Sequence, residues 1–330
     1  MDRRSFLRLM TLAMAGTAVS GKAFAHINDW MQIADAVNSV PKVKLNNGVE
    51  MPRLGLGTFA QPDNDVCRNS VLAALNAGFR HIDTAHGYND ERGVGQGIKD
   101  SGVARDQIWL TSKLWIGDYD NGKTLENIDK MLQRLQTDYI DLLYIHHPVG
   151  EVIPAWQAME KAVEQGKVRA LGISNFDYPD KVVQDYFRDI CENQRMKPQV
   201  IQLECNIYAQ RKDMRERIKP YDLQLECWFP LGGMMGVQRL SQDPVIQQIA
   251  KAHGKSAVQT MLRWHIQEGF SVIPGSKNPD HIKENINIFD FELSEDEMNQ
   301  IRAVDKGQRT FVSSYDSVEN RQRTRRIDDL

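Results

Sequence analysis

Four side chains in the first half of the chain have the types and spacing of a proton-transfer site. The run His81-Ile82-Asp83-Thr84-Ala85-His86-Gly87-Tyr88 ends a short apolar segment in a carboxylate and follows it with a phenol. Trp109-Leu110-Thr111-Ser112-Lys113 delivers an amine, and Leu142-Leu143-Tyr144-Ile145-His146 an imidazole, each at the end of an apolar run. A phenol ionises at about pH 10 in water, so a tyrosine does proton chemistry at neutral pH only where its phenolate is stabilised. A neighbouring ammonium does this, and a carboxylate paired with the ammonium holds it in place. Histidine beside them can orient or polarise a carbonyl oxygen. Taken singly, Asp83 reads as a helix cap, Lys113 as a surface charge and His146 as a satisfied buried ring. Together they define a candidate site.

Those residues can meet only if the elements carrying them run side by side. Apolar runs read as strands at Arg53–Gly57, Phe79–Asp83, Ile108–Lys113, Ile140–His146, Arg169–Ile173, Val200–Glu204, Leu223–Cys227 and Ser271–Pro274. Between them, helical periodicity marks Val66–Ala77, stopped by Gly78, then Glu91–Lys99, Leu125–Leu135, Ile153–Gln165 and Ser256–Glu268. Ser294 and Glu297 form a capping box that opens a last helix to Val304. Upstream, Asn46-Asn47-Gly48 between Lys42–Leu45 and Val49–Met51 has the signature of a hairpin. Regular alternation over about 250 residues predicts an α/β fold, a (β/α)8 TIM barrel, with an N-terminal hairpin and extra helices near the C-terminus. Active sites of such barrels lie at the carboxyl ends of the strands, where Asp83, Lys113 and His146 stand. With no Gly/Ser- or Pro-rich divider and no repeat, residues 42–330 read as one domain behind a linker over residues 26–41.

Composition excludes several classes. The charged and apolar fractions are those of an ordinary globular chain, and a net charge of −3 argues against a nucleic-acid partner. Cys67, Cys191, Cys205 and Cys227 show neither a CxxC pair nor finger spacing, so they read as buried thiols. The first 25 residues are a separate signal. Asp2-Arg3-Arg4-Ser5-Phe6-Leu7-Arg8 resembles a twin-arginine export signal, Leu9 to Val19 is modestly apolar, and Ala23-Phe24-Ala25 suits a signal peptidase. The apolar segment falls short of the roughly 20 residues of a membrane span, so stable membrane insertion is not expected. The expected location is the periplasm or beyond, reached through the twin-arginine export machinery; without export the chain is cytoplasmic. A monomer is expected.

The motifs in combination resemble the aldo-keto reductase family. They are Phe79-Arg80-His81-Ile82-Asp83-Thr84-Ala85, Tyr88 with Glu91, Thr111-Ser112-Lys113-Leu114-Trp115, Asp138 through His146 with Pro148, and Gly172-Ile173-Ser174-Asn175-Phe176. The likeness runs from about Val43 to Val304. It implies NAD(P)H-dependent reduction of a small aldehyde or ketone, or the reverse oxidation, without a metal. It implies Tyr88 as general acid, Lys113 and Asp83 as its tuners and His146 as the orienter of the carbonyl. It also implies that Ser174, Asn175 and Gln202 hold the nicotinamide carboxamide, and that Gly57 and Thr58 lie along the cofactor. Trp228-Phe229-Pro230-Leu231-Gly232 stands where the family usually has Tyr-Ser-Pro-Leu-Gly, and an indole can stack on nicotinamide as a phenol ring does. Leu231 and Gly233 fall on the same track.

At the adenosine end, Ile273-Pro274-Gly275-Ser276-Lys277-Asn278 and His281-Ile282-Lys283-Glu284-Asn285 match the family's last-strand segment. Ser276, Lys277, His281, Glu284 and Asn285 are the implied contacts. Many members carry a basic residue where Gly275 stands and an arginine where His281 stands, both facing the 2′-phosphate. NADPH is the expected cofactor, with NADH as the alternative, because no guanidinium fork is present. Gly93-Val94-Gly95-Gln96-Gly97 reads as a glycine-rich helix, and Gly232-Gly233-Met234-Met235-Gly236 as a mobile loop over the pyrophosphate. Phe59, Trp115 and His147 adjoin motif residues and should line an open substrate pocket. The basic run Arg321–Arg326 reads as a solvated tail. Two other readings compete. A metal-dependent barrel hydrolase would use His81, His86, His146 and His147 with Asp83, but leaves Tyr88, Lys113, Ser174, Asn175 and Gln202 without a task. A slowly turning nicotinamide-binding sensor could keep the same tetrad.

Overall fold

The computed structural model describes residues 33–119 and 122–309. The export signal, the start of the linker and the basic run Arg321–Arg326 lie outside the described residues. Residues 33–39, in the stretch whose amphipathic pattern suits a linker or a surface helix, are helical. Strands β1 (Lys42–Lys44) and β2 (Glu50–Pro52) pair antiparallel with Val43 opposite Met51, and Gly48 takes the left-handed turn position at φ 86°.

Eight parallel strands follow: β3 (Leu56–Gly57), β4 (His81–Asp83), β5 (Trp109–Leu114), β6 (Ile140–Ile145), β7 (Val168–Ser174), β8 (Val200–Glu204), β9 (Gln224–Trp228) and β10 (Ser271–Val272). Each pairs with its sequence neighbour. Parallel bridges Leu54–Val272 and Gly57–Gly275 join the first strand to the last, with Gly55 N donating to Val272 O at 2.9 Å. The barrel closes along this seam. Both seam strands are shorter than the predicted Arg53–Gly57 and Ser271–Pro274, and Pro274 has no N–H to extend the ladder.

Alternation along the strands sorts the side chains. Outward-facing residues such as Ile82, Leu110, Leu143, Ile173, Ile201 and Leu225 belong to the main core beneath the helices. Inward-facing Trp109, Leu142, Tyr144, Ala170 and Val200 pack with Leu45 and Met51 of the hairpin, which plugs the amino end of the bore. At that end Asp141 accepts from Leu110 N at 3.0 Å, Arg105 at 2.8 Å and Arg169 at 2.6 Å. This gives the Asp138–Asp141 motif a structural task. The functional end is the carboxyl end.

The helices surround the barrel in the expected order. The glycine-rich one, Glu91–Ser101, owes its composition to close packing. A Cβ at Gly93 would lie 2.3 Å from Asn64 O, and one at Gly95 would lie 2.5 Å from Leu135 O. The Gly232–Gly236 stretch differs from the expected loop, because Gly233–Ser241 is a helix. Gly232 (φ 80°) and Gly233 (φ 65°) supply the left-handed backbone that turns the chain into it, while Met234 and Met235 remain exposed. Further helices at Pro244–His253 and Glu295–Ala303 lie towards the C-terminus, the latter opened by the Ser294/Glu297 capping box. All four cysteines are buried and free. Among the described residues no helix is long and apolar enough to cross a membrane.

Candidate active site

Strand register brings the tetrad together. Asp83 on β4 pairs with Thr111 on β5, so Lys113, one pleat further along, reaches over it. Lys113 Nζ donates to Asp83 Oδ1 at 2.5 Å and to Thr84 O at 3.0 Å, and lies 3.4 Å from Tyr88 Oη. Tyr88 is the last residue of a short 3-10 turn, His86–Tyr88, that carries its ring back over the bore. His146, directly after β6, meets the Tyr88 ring edge-on at 5.7 Å. All four sequence-predicted catalytic residues therefore surround one point at the carboxyl end of the barrel.

Burial sets their charges. Lys113 has no exposed surface, and burial works against its ammonium, yet Asp83 and Tyr88 beside it hold its pKa above the usual lysine value. For Asp83, burial raises the pKa, Lys113 opposes the rise and Glu226 adds to it; the net direction is upward. For Tyr88, burial outweighs the pull of Lys113 and pushes the phenol up to about 12. This departs from the sequence expectation: the ammonium acts in the direction foreseen, but desolvation is larger. At neutral pH the phenol keeps its proton and stands ready as a donor.

The three residues expected to hold a carboxamide also converge. Ser174 ends β7, and Asn175 follows in the left-handed region at φ 64°. Asn175 Nδ2 donates to His146 O at 3.0 Å and to Ser174 Oγ at 3.0 Å, while its backbone N–H donates to Gln202 O at 3.1 Å. The Gln202 amide donates to Asp83 Oδ2 at 2.8 Å and to Glu226 Oε2 at 2.7 Å. Trp228 closes the adjoining strand β9.

An aromatic rim stands above them. Phe59 packs edge-on against Tyr88 at 5.1 Å and, tilted, against Phe229 at 5.8 Å. Trp115 meets His146 at 5.4 Å and His147 at 5.3 Å, and the two imidazoles stack at 4.4 Å. The expected pocket residues Phe59, Trp115 and His147 thus lie against the tetrad. Phe229, which the sequence reading left without a role, joins them from a left-handed backbone position at φ 50°.

On the other side, Thr58 is buried with its N–H on Asp83 O at 3.0 Å, Gly57 lies on the closing seam and Leu231 is buried. Gly233 begins its helix. Beyond β10, Ser276 accepts from Asn278 N, and Asn278 caps the helix Pro279–Ile286. Lys277 and His281 are exposed, Glu284 is half-buried and Asn285 is buried. Of these five, Lys277 and His281 offer exposed basic side chains.

Two of the four histidines of the hydrolase reading, His81 and His86, have other partners. His81 lies lower in the bore, with its ring nitrogens 3.1 Å from Pro52 O and 3.1 Å from Thr111 Oγ1. His86 pairs with Asp118 at 2.7 Å, and Asp118 also accepts from Trp115 N. Among the described residues, the group of three side chains close enough to share an ion is Cys205, Cys227 and His265, buried away from the tetrad.

This arrangement, a parallel barrel with a Tyr–Lys–Asp–His cluster at its mouth and an amide cradle beside it, defines a nicotinamide-dependent oxidoreductase. The model of the aldo/keto reductase family matches residues 53–306, and the chain belongs to that family. It is 43% identical over 268 residues to a glyoxal reductase of Bacillus subtilis, covering 81% of this chain and 94% of that one. It is 40% identical to a 9,11-endoperoxide prostaglandin H2 reductase of Trypanosoma cruzi, covering 81% and 92%. A Bombyx mori aldo-keto reductase solved in complex with NADP superposes with a TM-score of 0.76 at 30% identity, covering 84% of this chain and 96% of that one. The protein reduces carbonyl compounds with NAD(P)H. Its own residues fit that group: both donors of Gln202 are spent on the carboxyl groups of Asp83 and Glu226, which leaves its carbonyl oxygen as the acceptor for a carboxamide N–H.

The ion pair at the centre should be visible in stability. Lys113→Met strands a buried carboxylate and is expected to cost about 3–5 kcal/mol in urea denaturation at pH 7. Adding Asp83→Asn should return most of that loss. A buried acid whose folded pKa is raised binds its proton more tightly in the native state. The loss in Lys113→Met should therefore shrink as pH falls through the ordinary carboxylate range and grow as it rises.

Proposed function

We propose that Tyr88 is the proton donor to the substrate oxygen in carbonyl reduction. The observation that carries this reading is the chain of contacts from Asp83 through Lys113 to Tyr88, at 2.5 Å and 3.4 Å, beneath an aromatic rim. NADPH, when bound, supplies the hydride. His146 orients the carbonyl oxygen beside Tyr88, and the ammonium of Lys113 stabilises the phenolate that remains after the proton leaves. Asp83 keeps Lys113 charged and in place. Ser174, Asn175 and Gln202 would hold the carboxamide, Trp228 would offer the nicotinamide its indole face, and Gly57, Thr58, Leu231 and Gly233 would line the path of the dinucleotide. At its far end we assign Ser276, Lys277, His281, Glu284 and Asn285 to the adenosine phosphate, with Lys277 and His281 supplying the positive charge.

The substrate is a small aldehyde or ketone received by Phe59, Trp115 and His147. We assign the enzyme as a monomer with a single reductase domain over residues 42–330; the uninterrupted alternation of strands and helices from β3 to Glu295–Ala303 supports the single domain. Arg3-Arg4 and the segment that follows support export to the periplasm by the twin-arginine route, which carries folded proteins with their cofactors.

Three measurements test these assignments. Tyr88→Phe should lower kcat for reduction by about 10²-fold or more while leaving the Kd for NADPH within about threefold; undiminished turnover would remove Tyr88 from the chemistry. Gly275→Lys should tighten NADPH relative to NADH. A Cβ there would stand 3.0 Å from Gly57 O, so the seam must give slightly, and an unchanged ratio would show that Lys277 and His281 already satisfy the phosphate. Arg3→Lys with Arg4→Lys should hold the chain in the cytoplasmic fraction. If that variant still reaches the periplasm, the export reading fails.

A further inference from the structure

Below the tetrad, the bore contains a second carboxyl group that no step of the reaction uses. Glu226, in the middle of β9, has no exposed surface. Its Oε2 accepts from Gln202 Nε2 at 2.7 Å and from Tyr144 Oη at 2.8 Å. Its Oε1 makes no hydrogen bond and faces His81 Nε2 at 3.7 Å. The barrel wall is cut to admit this group. A Cβ at Gly172 would lie 2.3 Å from the Tyr144 ring, and one at Gly55 would lie 2.7 Å from the ring of His81.

The hydrogen-bond pattern fixes the protons. His81 Nδ1 can meet Pro52 O only as a donor, so Nε2 carries the lone pair and accepts from Thr111 Oγ1. Among the described residues Lys113 is the ammonium that faces the two buried carboxyl groups, and it bonds directly to Asp83. Burial raises the Glu226 pKa, with Gln202, Tyr144 and Lys113 opposing it only in part. A proton on Oε1 leaves Oε2 as a double acceptor and one net charge of each sign in the bore.

The consequence concerns Gln202. An amide can present either end to a ligand, and its neighbours decide which. With Asp83 on one side and Glu226 on the other, both acceptors claim the Gln202 nitrogen. We propose that Glu226 is a positioning residue for the reaction: it locks the Gln202 amide with its carbonyl oxygen towards the nicotinamide carboxamide. The proposal rests on the assignment of Gln202 to that carboxamide. Glu226 touches neither substrate nor cofactor, and acts through Gln202.

The test compares Glu226→Gln with Glu226→Leu. Glutamine reproduces the protonated acid, accepting from Gln202 and Tyr144 while its amide N–H faces His81; leucine fills the space and offers no acceptor. Glu226→Leu should raise the KM for NADPH by about tenfold, the size of one lost hydrogen bond, with kcat at saturating NADPH changed less than about threefold. Glu226→Gln should return KM to within about threefold of the parent. Affinity for 2′-phospho-ADP-ribose, which lacks the nicotinamide, should stay unchanged in both variants. The proposal is overturned if Glu226→Leu leaves KM unchanged, if Glu226→Gln is as impaired as Glu226→Leu, or if fragment affinity falls in parallel. Gln202→Ala separates the two levels of the argument. Unchanged NADPH affinity in that variant would sink the carboxamide assignment itself, whereas weakened affinity with a silent Glu226→Leu would sink the Glu226 proposal alone.

Discussion

The active end of this barrel depends on one buried ion pair, Asp83 with Lys113. Neither charge reaches solvent, so each was stripped of water at a cost of several kcal/mol that their mutual attraction only partly offsets. Such a pair is a weak device for stability and a strong one for geometry. The remaining capacity of both groups is spent on fixed partners: Lys113 bonds the Thr84 carbonyl and approaches Tyr88, and Asp83 accepts from Gln202. Removing either charge leaves the other without a counterpart. The pair therefore requires β4 and β5 in their observed register, and that register aims the phenol.

The bore around the pair is layered in a way that keeps the charges apart from the apolar plug. Hairpin residues Leu45 and Met51 close the amino end together with Trp109 and Leu142. Above them, Tyr144, His81 and Thr111 form an uncharged polar layer, and the burial of His81 pushes its imidazole down to about 4, so it stays neutral. The ion pair sits over this layer. An apolar layer in direct contact with Asp83 would leave its second oxygen without a donor, whereas Gln202 supplies one and is itself steadied from below.

Much of this was legible in the sequence, and for physical reasons. Strands buried on both faces announce themselves as apolar runs, and the polar residue at the end of such a run has few structural tasks, so Asp83, Lys113 and His146 could be found without coordinates. What could not be read were effects that depend on neighbours across the barrel. Glu226 between Leu225 and Cys227 gives no sign of whether it meets Gln202 and Tyr144 or a surface cation. The phenol of Tyr88 shows the same gap: adjacency to an ammonium suggests a lowered pKa, and only the depth of burial reveals that desolvation wins. The stretch Gly232–Gly236 was misread because paired glycines signal mobility in sequence, whereas here their left-handed backbone starts a helix.

The mouth sets how selective such an enzyme can be. Phe59, Trp115, His147 and Phe229 present aromatic faces and edges rather than a charged clamp, and as the proposed pocket they would sort substrates by shape and apolar contact. An added or missing methylene against such a wall changes discrimination by only about 10–200-fold. The chemistry beneath the rim asks only for a carbonyl oxygen that can reach both Tyr88 and His146. On the proposed assignment, a hydrogen-bonded tetrad under an aromatic rim would fix the reaction tightly and the substrate loosely. It is consistent with this division that relatives named for glyoxal and for a prostaglandin endoperoxide share this chain's barrel family. Specificity within the family would then follow from rim side chains such as Phe229, where the bulky residue replaces the serine usual at that position, while the residues of the bore hold the reaction constant.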